Sequence, residues 1–223
     1  MDGIDMIEYI VAENIDRRIL TRTAGMLCDG KIAALPTDTS WVVVCSHRSK
    51  EGIKRLRSIS GERDERHFTL LCSDISQFCE FCRLDNSRFR LLKRLSPGPY
   101  VFILNTLLGT EKKLGLRRGE LGVRISAHPV PRALIESLGC PLYSITAKKT
   151  MFSPGGKKAP GDGETLSIDE EELFEQGCEL EDIAGIDLIL DSGEDLPRTL
   201  STILDMTGSE IRVIREGSGA WPV

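Results

Sequence analysis

Short apolar runs separated by turn-forming residues dominate the hydrophobic pattern of this 223-residue chain. A run of roughly four to eight apolar residues between turn signals is typical of a buried strand. β-branched and aromatic residues are frequent in these runs, as strands favour. We therefore expect strands at residues 6–11, 32–35, 41–44, 68–72, 100–104, 121–125, 141–146, 187–190, 201–206 and 211–215.

Between several of these runs, apolar residues recur three or four positions apart, which is the spacing of one helix face. This spacing predicts helices at 15–29, 49–59, 74–82, 86–95 and 129–138, and Ser167 is expected to open an acidic helix. Helices and strands are interspersed without a strict βαβ alternation. The predicted fold class is therefore α/β or α+β, with a twisted mixed sheet and helices on its faces.

Two polar stretches are expected to be loops, at 106–120 and at 147–166. The second is rich in Gly, Pro and Lys and too long for a tight turn, so it is either a solvated charged loop or a mobile lid. We divide the chain into an N-terminal lead-in (1–14), a single domain (15–217) and a C-terminal tail (218–223).

Composition narrows the class of protein. The net charge of −5 argues against a general nucleic-acid coat protein, although a local basic cleft remains compatible with it. The seven cysteines are an odd number with no signal-peptide pattern before them, which favours the reducing cytoplasm. No apolar run approaches the ~20 residues that span a bilayer. Cys79 and Cys82 form a CxxC with only His67 and Cys72 close by in sequence as further zinc ligands, so we expect a core or partly buried cysteine pair and no protein-bound metal.

The stretch KIAALPTDTSW, at 31–41, is the first candidate for chemistry. Pro36 ends one apolar run, and Thr37, Asp38 and Thr39 follow before the next run begins. Polar side chains between two buried strands lie at the rim of a sheet, where ligands often bind. The alternative is an ordinary turn, in which Thr37 and Asp38 satisfy local backbone N–H groups.

Cations and hydroxyls recur near the ends of several predicted strands. An arginine on a buried strand is costly unless it is paired or faces a ligand. Taken singly, each arginine is explained by the solvated face of an edge strand. Taken together, arginines and hydroxyls indicate a pocket for phosphate or carboxylate. The residues are Thr39, Arg124, Ser144, Thr146, Ser201, Thr202 and Arg215.

The order of the motifs resembles the YrdC/YciO-like family, and within it the YciO branch most closely. The resemblance spans residues 15–217 and depends on the ordered set, since no single motif is specific. The matching segments are PTDTSW (36–41), FTLLCSDIS (68–76), SPGPYVFIL (96–104), LGVRISAHP (121–129), PLYSITA (141–147), STILDMT (201–207) and IRVIREGSG (211–219).

The resemblance implies a YrdC/RibB-like fold, in which a twisted mixed sheet surrounds a deep, basic concave cavity. It also implies a nucleotidyltransferase that converts ATP, bicarbonate and L-threonine into threonylcarbamoyl-AMP and pyrophosphate, with Mg²⁺ accompanying ATP. The product serves the modification of adenosine in tRNA, and the family is also described as binding double-stranded RNA.

The family's catalytic pattern is a Lys-x-Arg and a Ser-x-Asn, and this chain departs from both. Arg57 stands in the place of the lysine and Ile59 in that of the arginine, with Arg63 and Arg66 as substitutes nearby. The second motif reads Thr146-Ala147-Lys148. The resemblance implies Arg57 and Thr146 as catalytic residues, Thr37, Thr39 and Arg124 as substrate-binding residues, and Ser144, Lys148, Ser201 and Arg215 as nucleotide-binding residues.

Two hypotheses remain open from the sequence. In the first, the protein is a nucleotide-binding enzyme of the threonylcarbamoyl-AMP synthase type. The substrate carbamate is itself the nucleophile there, so the reaction needs no Ser or Cys triad, only aligned anions and neutralised charge. In the second, the protein binds RNA or a nucleotide without catalysis, since both parts of the catalytic pattern have changed.

Overall fold

The computed structural model describes residues 6–60, 68–110, 119–152 and 169–221. In these residues ten strands form one sheet, in the order β1-β8-β2-β3-β7-β4-β6-β5-β9-β10. The strands are β1 (Ile7–Tyr9), β2 (Ala33–Leu35), β3 (Val42–Ser46), β4 (Thr69–Leu71), β5 (Tyr100–Asn105), β6 (Glu120–Arg124), β7 (Leu142–Thr146), β8 (Leu188–Asp191), β9 (Thr202–Asp205) and β10 (Arg212–Arg215).

Five α-helices are present in the described residues: α1 (Arg17–Cys28), α2 (Lys50–Ser60), α3 (Ile75–Phe81), α4 (Asn86–Leu95) and α5 (Pro129–Leu138). Their starts follow from local chemistry. The carboxylates of Asp16, Asp74 and Asp85 each accept a backbone N–H in the first turn of α1, α3 and α4. Gly139 ends α5 in the left-handed conformation.

The sheet is mixed, as the sequence predicts. Strands β1 and β2 run parallel to β8, β4 to β6, and β5 to β9. The remaining neighbours are antiparallel, including β3 with β7 and β5 with β6. This mixed pairing, with helices on the sheet, confirms the predicted fold class.

The sheet has two faces with different cover. Helices α1 and α5 pack on one face, through Leu27 and Leu134, against Val42 and Val44 of β3. We call this the α1–α5 face. Helices α2, α3 and α4 pack on the opposite face, the α2–α4 face, whose core contains the following buried residues: Trp41, Val43, Cys45, Leu56, Leu70, Phe78, Leu92, Phe102, Val123 and Tyr143.

The register assigns the polar strand residues to one of these faces. Thr146 pairs with Val42, Ser144 with Val44, and Arg124 with Leu71. Because directly paired residues point to the same side of a sheet, Ser144, Thr146 and Arg124 share the α1–α5 face.

Part of the α1–α5 face is only partly covered in the described residues. Thr69, Gly122 and Ile103 lie side by side across β4, β6 and β5, and Ile203 of β9 pairs with Val101 on the same face; Thr69, Gly122, Ile103 and Ile203 are half-buried. Their sequence neighbours on the α2–α4 face, such as Val123 and Phe102, are fully buried. The polar strand residues therefore lie on the face of the sheet that is partly accessible in the described residues.

The predicted acidic helix after Ser167 is wrong for the part that the structure describes. Residues Glu170–Glu172 and Gly177–Leu180 are two short 3-10 turns. The consecutive residues Leu173 and Phe174 between them are both buried, and a continuing helix would direct them to different sides. Ser167 itself and residues 153–166 of the predicted loop lie outside the described residues.

The division into lead-in, domain and tail stays a prediction. Strand β1, inside the predicted lead-in, pairs with β8. At the other end, the Tyr100 hydroxyl donates a hydrogen bond to the Ala220 carbonyl at 3.0 Å. Within the described ranges, none of the helices combines the length and the apolar character that crossing a lipid bilayer requires.

Two glycines that both have space for a side chain allow a test of the assigned backbone conformations. Gly25 lies inside α1 and Gly139 ends α5 at φ +71°, and a Cβ at either position meets no atom within 4 Å. We expect Gly25→Ala to raise the free energy of unfolding by about 0.5–1 kcal/mol, because Ala restricts the unfolded chain and favours the helix. Gly139→Ala should lower it by about 1 kcal/mol, because a Cβ disfavours positive φ.

Urea unfolding monitored by circular dichroism measures both effects against the wild-type protein. Shifts of the same sign in the two variants would contradict the assigned backbone conformations.

Candidate functional site

The turn between β2 and β3 is held together by one hydroxyl. Thr37 Oγ1 donates to the carbonyl oxygen of Ser40 at 2.6 Å and accepts the N–H groups of Thr39 and Ser40, both at 3.2 Å. Thr37 and Thr39 are both buried, and their hydroxyls are 3.2 Å apart. For Thr37 the local-turn alternative describes the contacts, and its binding of substrate stays a prediction.

Asp38, in the same turn, binds a distant strand. Its Oδ1 accepts a hydrogen bond from Arg124 Nη2 at 2.8 Å, from the Ser126 hydroxyl, and from the Ala127 N–H at 3.0 Å. The Arg124 side chain is only 5% exposed, and that of Asp38 15%. The alternative in which Asp38 satisfies backbone N–H groups of its own turn is therefore wrong for this residue, because its carboxylate balances the charge of a buried guanidinium at the end of β6.

Burial and pairing act in opposite directions on this ion pair. Burial raises the pKa of the Asp38 carboxyl, but the Arg124 guanidinium and the Ser126 hydroxyl outweigh it and hold the pKa below its ordinary value. Burial lowers the pKa of Arg124, and Asp38 opposes that effect. The pair is ionised at neutral pH, and the turn is thereby fixed over the α1–α5 face.

Arg215, at the end of the edge strand β10, is a second cation close to Arg124. Its Nε and Nη2 donate to the Ser201 carbonyl oxygen at 3.1 and 3.0 Å. Burial and, after it, repulsion by Arg124 lower the pKa of Arg215 to about 10. Among the described residues, no carboxylate forms an ion pair with Arg215. Of the two neighbouring guanidiniums, Arg124 pairs with the Asp38 carboxylate, and none of the described carboxylates pairs with Arg215.

The segment before β9 connects Arg215 with the turn. The Thr199 N–H donates to the Thr39 carbonyl oxygen at 3.0 Å. Gly217 lies so close to this segment that a Cβ on it would be 2.2 Å from the Leu200 carbonyl oxygen. Ser201 is buried beside these contacts. Thr39, Ser201 and Arg215, named separately from the sequence, thus belong to one contiguous group.

The end of β7 adds the altered second motif. The Ala147 N–H donates to the Trp41 carbonyl oxygen at 2.9 Å, which attaches this end of β7 to the turn. Thr146 and Lys148, on either side of Ala147, are half-buried. Ser144 is buried, and its hydroxyl donates to the Thr69 carbonyl oxygen at 2.9 Å. The register thus places Thr146 nearer to the turn than Ser144.

Arg57 lies elsewhere. It belongs to the last turn of α2. Burial raises the pKa of the Cys45 thiol to about 12, and the nearby positive charge of Arg57 opposes this shift. Because Cys45 belongs to the α2–α4 face, these contacts place Arg57 on the opposite side of the sheet from the side chain of Arg124. The catalytic role of Arg57 stays a prediction, and Arg63 and Arg66 lie outside the described residues.

Sequence reasoning missed two polar residues next to the ion pair of Asp38 and Arg124. Ser126 and His128 follow Arg124 directly, and His128 Nδ1 accepts the Val130 N–H at the start of α5, at 3.3 Å. Burial lowers the pKa of His128, and the charges of Glu194, Asp38 and Glu13 oppose the shift. The sequence signal that could have revealed the ion pair was Arg124, because a buried arginine requires a carboxylate and Asp38 was a candidate partner.

The geometry can be compared with known proteins. A family model of the Sua5, YciO and YrdC proteins, described as "Telomere recombination", matches residues 25–217. The uncharacterized protein YciO of Escherichia coli K12 is 29% identical over 212 residues, which cover 95% of both chains. The crystal structure of E. coli YciO matches with a TM-score of 0.79 and 27% identity, over 98% of both chains.

Two further relatives have a named activity or a bound ligand. The threonylcarbamoyl-AMP synthase of Xanthomonas axonopodis pv. citri is 28% identical over 151 residues, which cover 66% of this chain and 81% of that protein. The P. abyssi Sua5 structure in complex with L-threonine has a TM-score of 0.76 and covers 95% of this chain and 57% of its own. At 23% identity this second likeness shows the fold alone.

The matched family model spans most of the chain, and the polar turn, Arg124 and Arg215 all lie within it. The predicted resemblance is thereby confirmed, and the chain belongs to the Sua5–YciO–YrdC family.

Proposed function

We propose that this protein binds a nucleotide over the α1–α5 face and forms threonylcarbamoyl-AMP from ATP, bicarbonate and L-threonine. The observation that carries the proposal is the pair of neighbouring guanidiniums, Arg124 and Arg215, of which only Arg124 is paired with a described carboxylate, that of Asp38. A half-buried excess of positive charge is stabilised by an anion, and arginine binds phosphate and carboxylate through several N–H groups at once.

The reaction fits a site that aligns anions without supplying a nucleophile. The threonine amine takes up bicarbonate to give a carbamate and water. A carbamate oxygen then attacks the α-phosphorus of ATP, and the bond to the leaving pyrophosphate breaks. Arg215 and Arg124 are proposed to stabilise the charge on the phosphate and carboxylate oxygens. Thr39, Thr146 and Ser201 are proposed hydrogen-bond donors beside them.

Magnesium is proposed to enter with ATP. In the parts of the chain that the structure describes, no group of three or more His, Cys, Asp and Glu side chains could hold a metal ion. We assign Mg²⁺ to the phosphates of the nucleotide, where it neutralises charge.

The comparisons support this substrate class without specifying it. A threonylcarbamoyl-AMP synthase is among the relatives, and the Sua5 structure contains L-threonine. Use of the product in tRNA modification, binding of double-stranded RNA, and action in the cytoplasm are parts of the proposal that rest on the family resemblance.

A second candidate function is binding of a nucleotide or RNA without catalysis. It is favoured by the position of Arg57, beside Cys45 and on the other side of the sheet from Arg124. It is also favoured by Lys148, because an ammonium group supplies donors only, whereas the asparagine of the family motif also accepts.

Titration calorimetry of ATP–Mg²⁺, with and without threonine plus bicarbonate, followed by a pyrophosphate assay on the same samples, separates the two functions. The proposed synthase binds ATP and releases pyrophosphate only when threonine and bicarbonate are present. ATP binding with no release for any amino acid would contradict the synthase and support binding alone. Arg57→Ala, on the other side of the sheet from Arg124, should leave ATP–Mg²⁺ affinity nearly unchanged, and a loss of turnover in this variant would support the predicted catalytic role of Arg57.

Arg215→Gln should weaken ATP–Mg²⁺ binding about 10-fold or more, because a charged hydrogen bond contributes about 1.5–3 kcal/mol. The matched control is Arg212→Gln on the same strand, where the arginine side chain is 71% exposed and pairs with Asp205. Calorimetry should give nearly wild-type affinity for this control. Equal losses in the two variants would mean that only the overall charge matters.

Asp38→Asn should lower the free energy of unfolding at pH 7 by about 3 kcal/mol, because it leaves Arg124 buried without its counter-charge. The folded-state pKa of Asp38 is lowered, so the carboxylate stabilises fully above its unfolded pKa of about 4. That contribution is lost as the pH falls through the folded-state pKa.

Urea unfolding of the wild type and Asp38→Asn from pH 7 to pH 3 should therefore show a difference that shrinks in acid. Asp182→Asn, at an exposed acid, is the control and should stay within about 0.5 kcal/mol of the wild type. A difference that is constant with pH would contradict the ion pair.

A further inference from the structure

His128 is a titratable residue beside the candidate site that the proposed reaction does not use. It lies between β6 and α5 and is half-buried. Its Nδ1 accepts the Val130 N–H at 3.3 Å and thereby caps α5. An imidazole nitrogen that accepts a hydrogen bond has no proton, so the neutral ring has its proton on Nε2. The cap of α5 thus fixes the tautomer of His128.

A short chain of hydrogen bonds connects His128 with the buried ion pair. The His128 N–H donates to the Ser126 hydroxyl at 3.1 Å, and that hydroxyl donates to Asp38 Oδ1. The same carboxylate oxygen accepts a hydrogen bond from Arg124 Nη2 at 2.8 Å. His128, Asp38 and Arg124 therefore belong to one polar group next to the turn between β2 and β3.

Three atoms of this polar group are buried without a hydrogen-bond partner in the part of the chain that the structure describes. They are His128 Nε2, Asp38 Oδ2 and Arg124 Nε. Nε2 of the neutral ring is a donor and Oδ2 is an acceptor, so these two atoms are chemically complementary. The Asp38 carboxylate binds Arg124 through Oδ1 alone and therefore keeps an acceptor that a charged His128 ring can use.

The charges around His128 come from three neighbouring segments and are mostly negative. Asp38 lies in the turn after β2, Glu194 in the segment after β8, and Glu13 in the segment before α1. Arg124, at the end of β6, is the cation of the group and pairs with Asp38. Burial lowers the pKa of His128, and the three carboxylates oppose that shift. The ring is therefore uncharged at neutral pH, in surroundings that favour a proton once the cost of burial is offset.

We propose that His128 links anion binding to proton uptake: an anion that binds to Arg124 and Arg215 draws a proton from solvent onto His128, and the charged ring shares the Asp38 carboxylate with Arg124. Neutral His128, Asp38 and Arg124 together have no net charge, whereas the protonated group has one positive charge. Because opposite charges attract, the proton and the anion strengthen each other's binding by the same factor. This inference rests on the proposed function, since it needs an anion at the two arginines. His128 is a positioning residue, which acts on the ligand through Asp38 and Arg124.

The cap of α5 limits this response in the free protein. The added proton binds Nδ1, the ring nitrogen of neutral His128 that has none, so the Val130 N–H loses its acceptor. Loss of a helix cap opposes protonation. An anion at the arginines supplies the charge that offsets this loss, so proton uptake accompanies ligand binding.

Calorimetry of ATP–Mg²⁺ binding to the full-length protein, in buffers of different ionisation enthalpy, counts the protons taken up. The comparison is with His128→Asn, because an asparagine oxygen can still cap α5 but the side chain does not titrate. Ionisation of ATP itself is the same for both proteins and cancels. Between about pH 7.5 and pH 6, the wild-type affinity should rise about 5-fold or more relative to the variant, with extra proton uptake.

The matched control is His47→Asn, at the other histidine in the described ranges. Burial also lowers the pKa of His47, but its ring packs edge-on against Phe81. This variant should take up protons as the wild type does. Histidine ¹⁵N spectra of the wild type add a measurement that needs no variant: free His128 should have its proton on Nε2, and ATP–Mg²⁺ should protonate Nδ1.

Binding of ATP–Mg²⁺ with equal proton uptake by the wild type and His128→Asn would overturn the inference and leave the proposed function standing. An equal loss of uptake in His47→Asn, or a free ring with its proton on Nδ1, would overturn it as well. If ATP–Mg²⁺ does not bind, the proposed function fails, and the same titration is made with inorganic pyrophosphate. Absence of His128-dependent proton uptake with that anion would also overturn the inference, whereas its presence would support it.

Discussion

The buried ion pair between Asp38 and Arg124 is the interaction on which the candidate site depends. It joins the turn after β2 to the end of β6, two elements separated in the sheet by β3, β7 and β4. The turn in turn accepts the Thr199 N–H, and the following residue pair, Leu200 and Ser201, positions Arg215. Without the ion pair, a buried guanidinium would lack its counter-charge and the turn would lose its only charged anchor to β6 among the described residues. One carboxylate thus supports the arrangement of three segments.

The same carboxylate limits how much positive charge remains for a ligand. The Asp38 carboxylate accepts all its described hydrogen bonds at one oxygen, from Arg124, Ser126 and Ala127. It compensates Arg124, whereas none of the described carboxylates pairs with Arg215, whose pKa is lowered to about 10 by burial and then by repulsion from Arg124. The anion proposed to reach both arginines would supply the charge that Asp38 does not give to Arg215. An acidic residue is therefore compatible with the proposed anion-binding site.

The fold was largely predictable because its signals are local. Apolar runs such as those of β3 and β7 and the Asp caps of α3 and α4 act within a few residues, and the elements form where these signals predict them. The site was less predictable because its decisive contacts join distant residues. Asp38 and Arg124 are 86 positions apart, and nothing in either neighbourhood specifies the other. Leu173 and Phe174 mislead for the same reason, since burial by the rest of the chain overrides the helical tendency of their acidic neighbours.

The two faces of the sheet separate Arg57, one changed part of the family pattern, from the hydroxyl turn and the two arginines, whereas the other changed part, Thr146-Ala147-Lys148, lies beside the turn. The hydroxyl turn, Arg124, Ser201 and Arg215 lie together on the α1–α5 side, where their contacts depend on one another. Arg57 lies on the other side, against Cys45. A change at Arg57 therefore leaves in place the ion pair and the two arginines that are proposed to bind an anion. Loss of catalysis and retention of binding are thus physically separable in this fold.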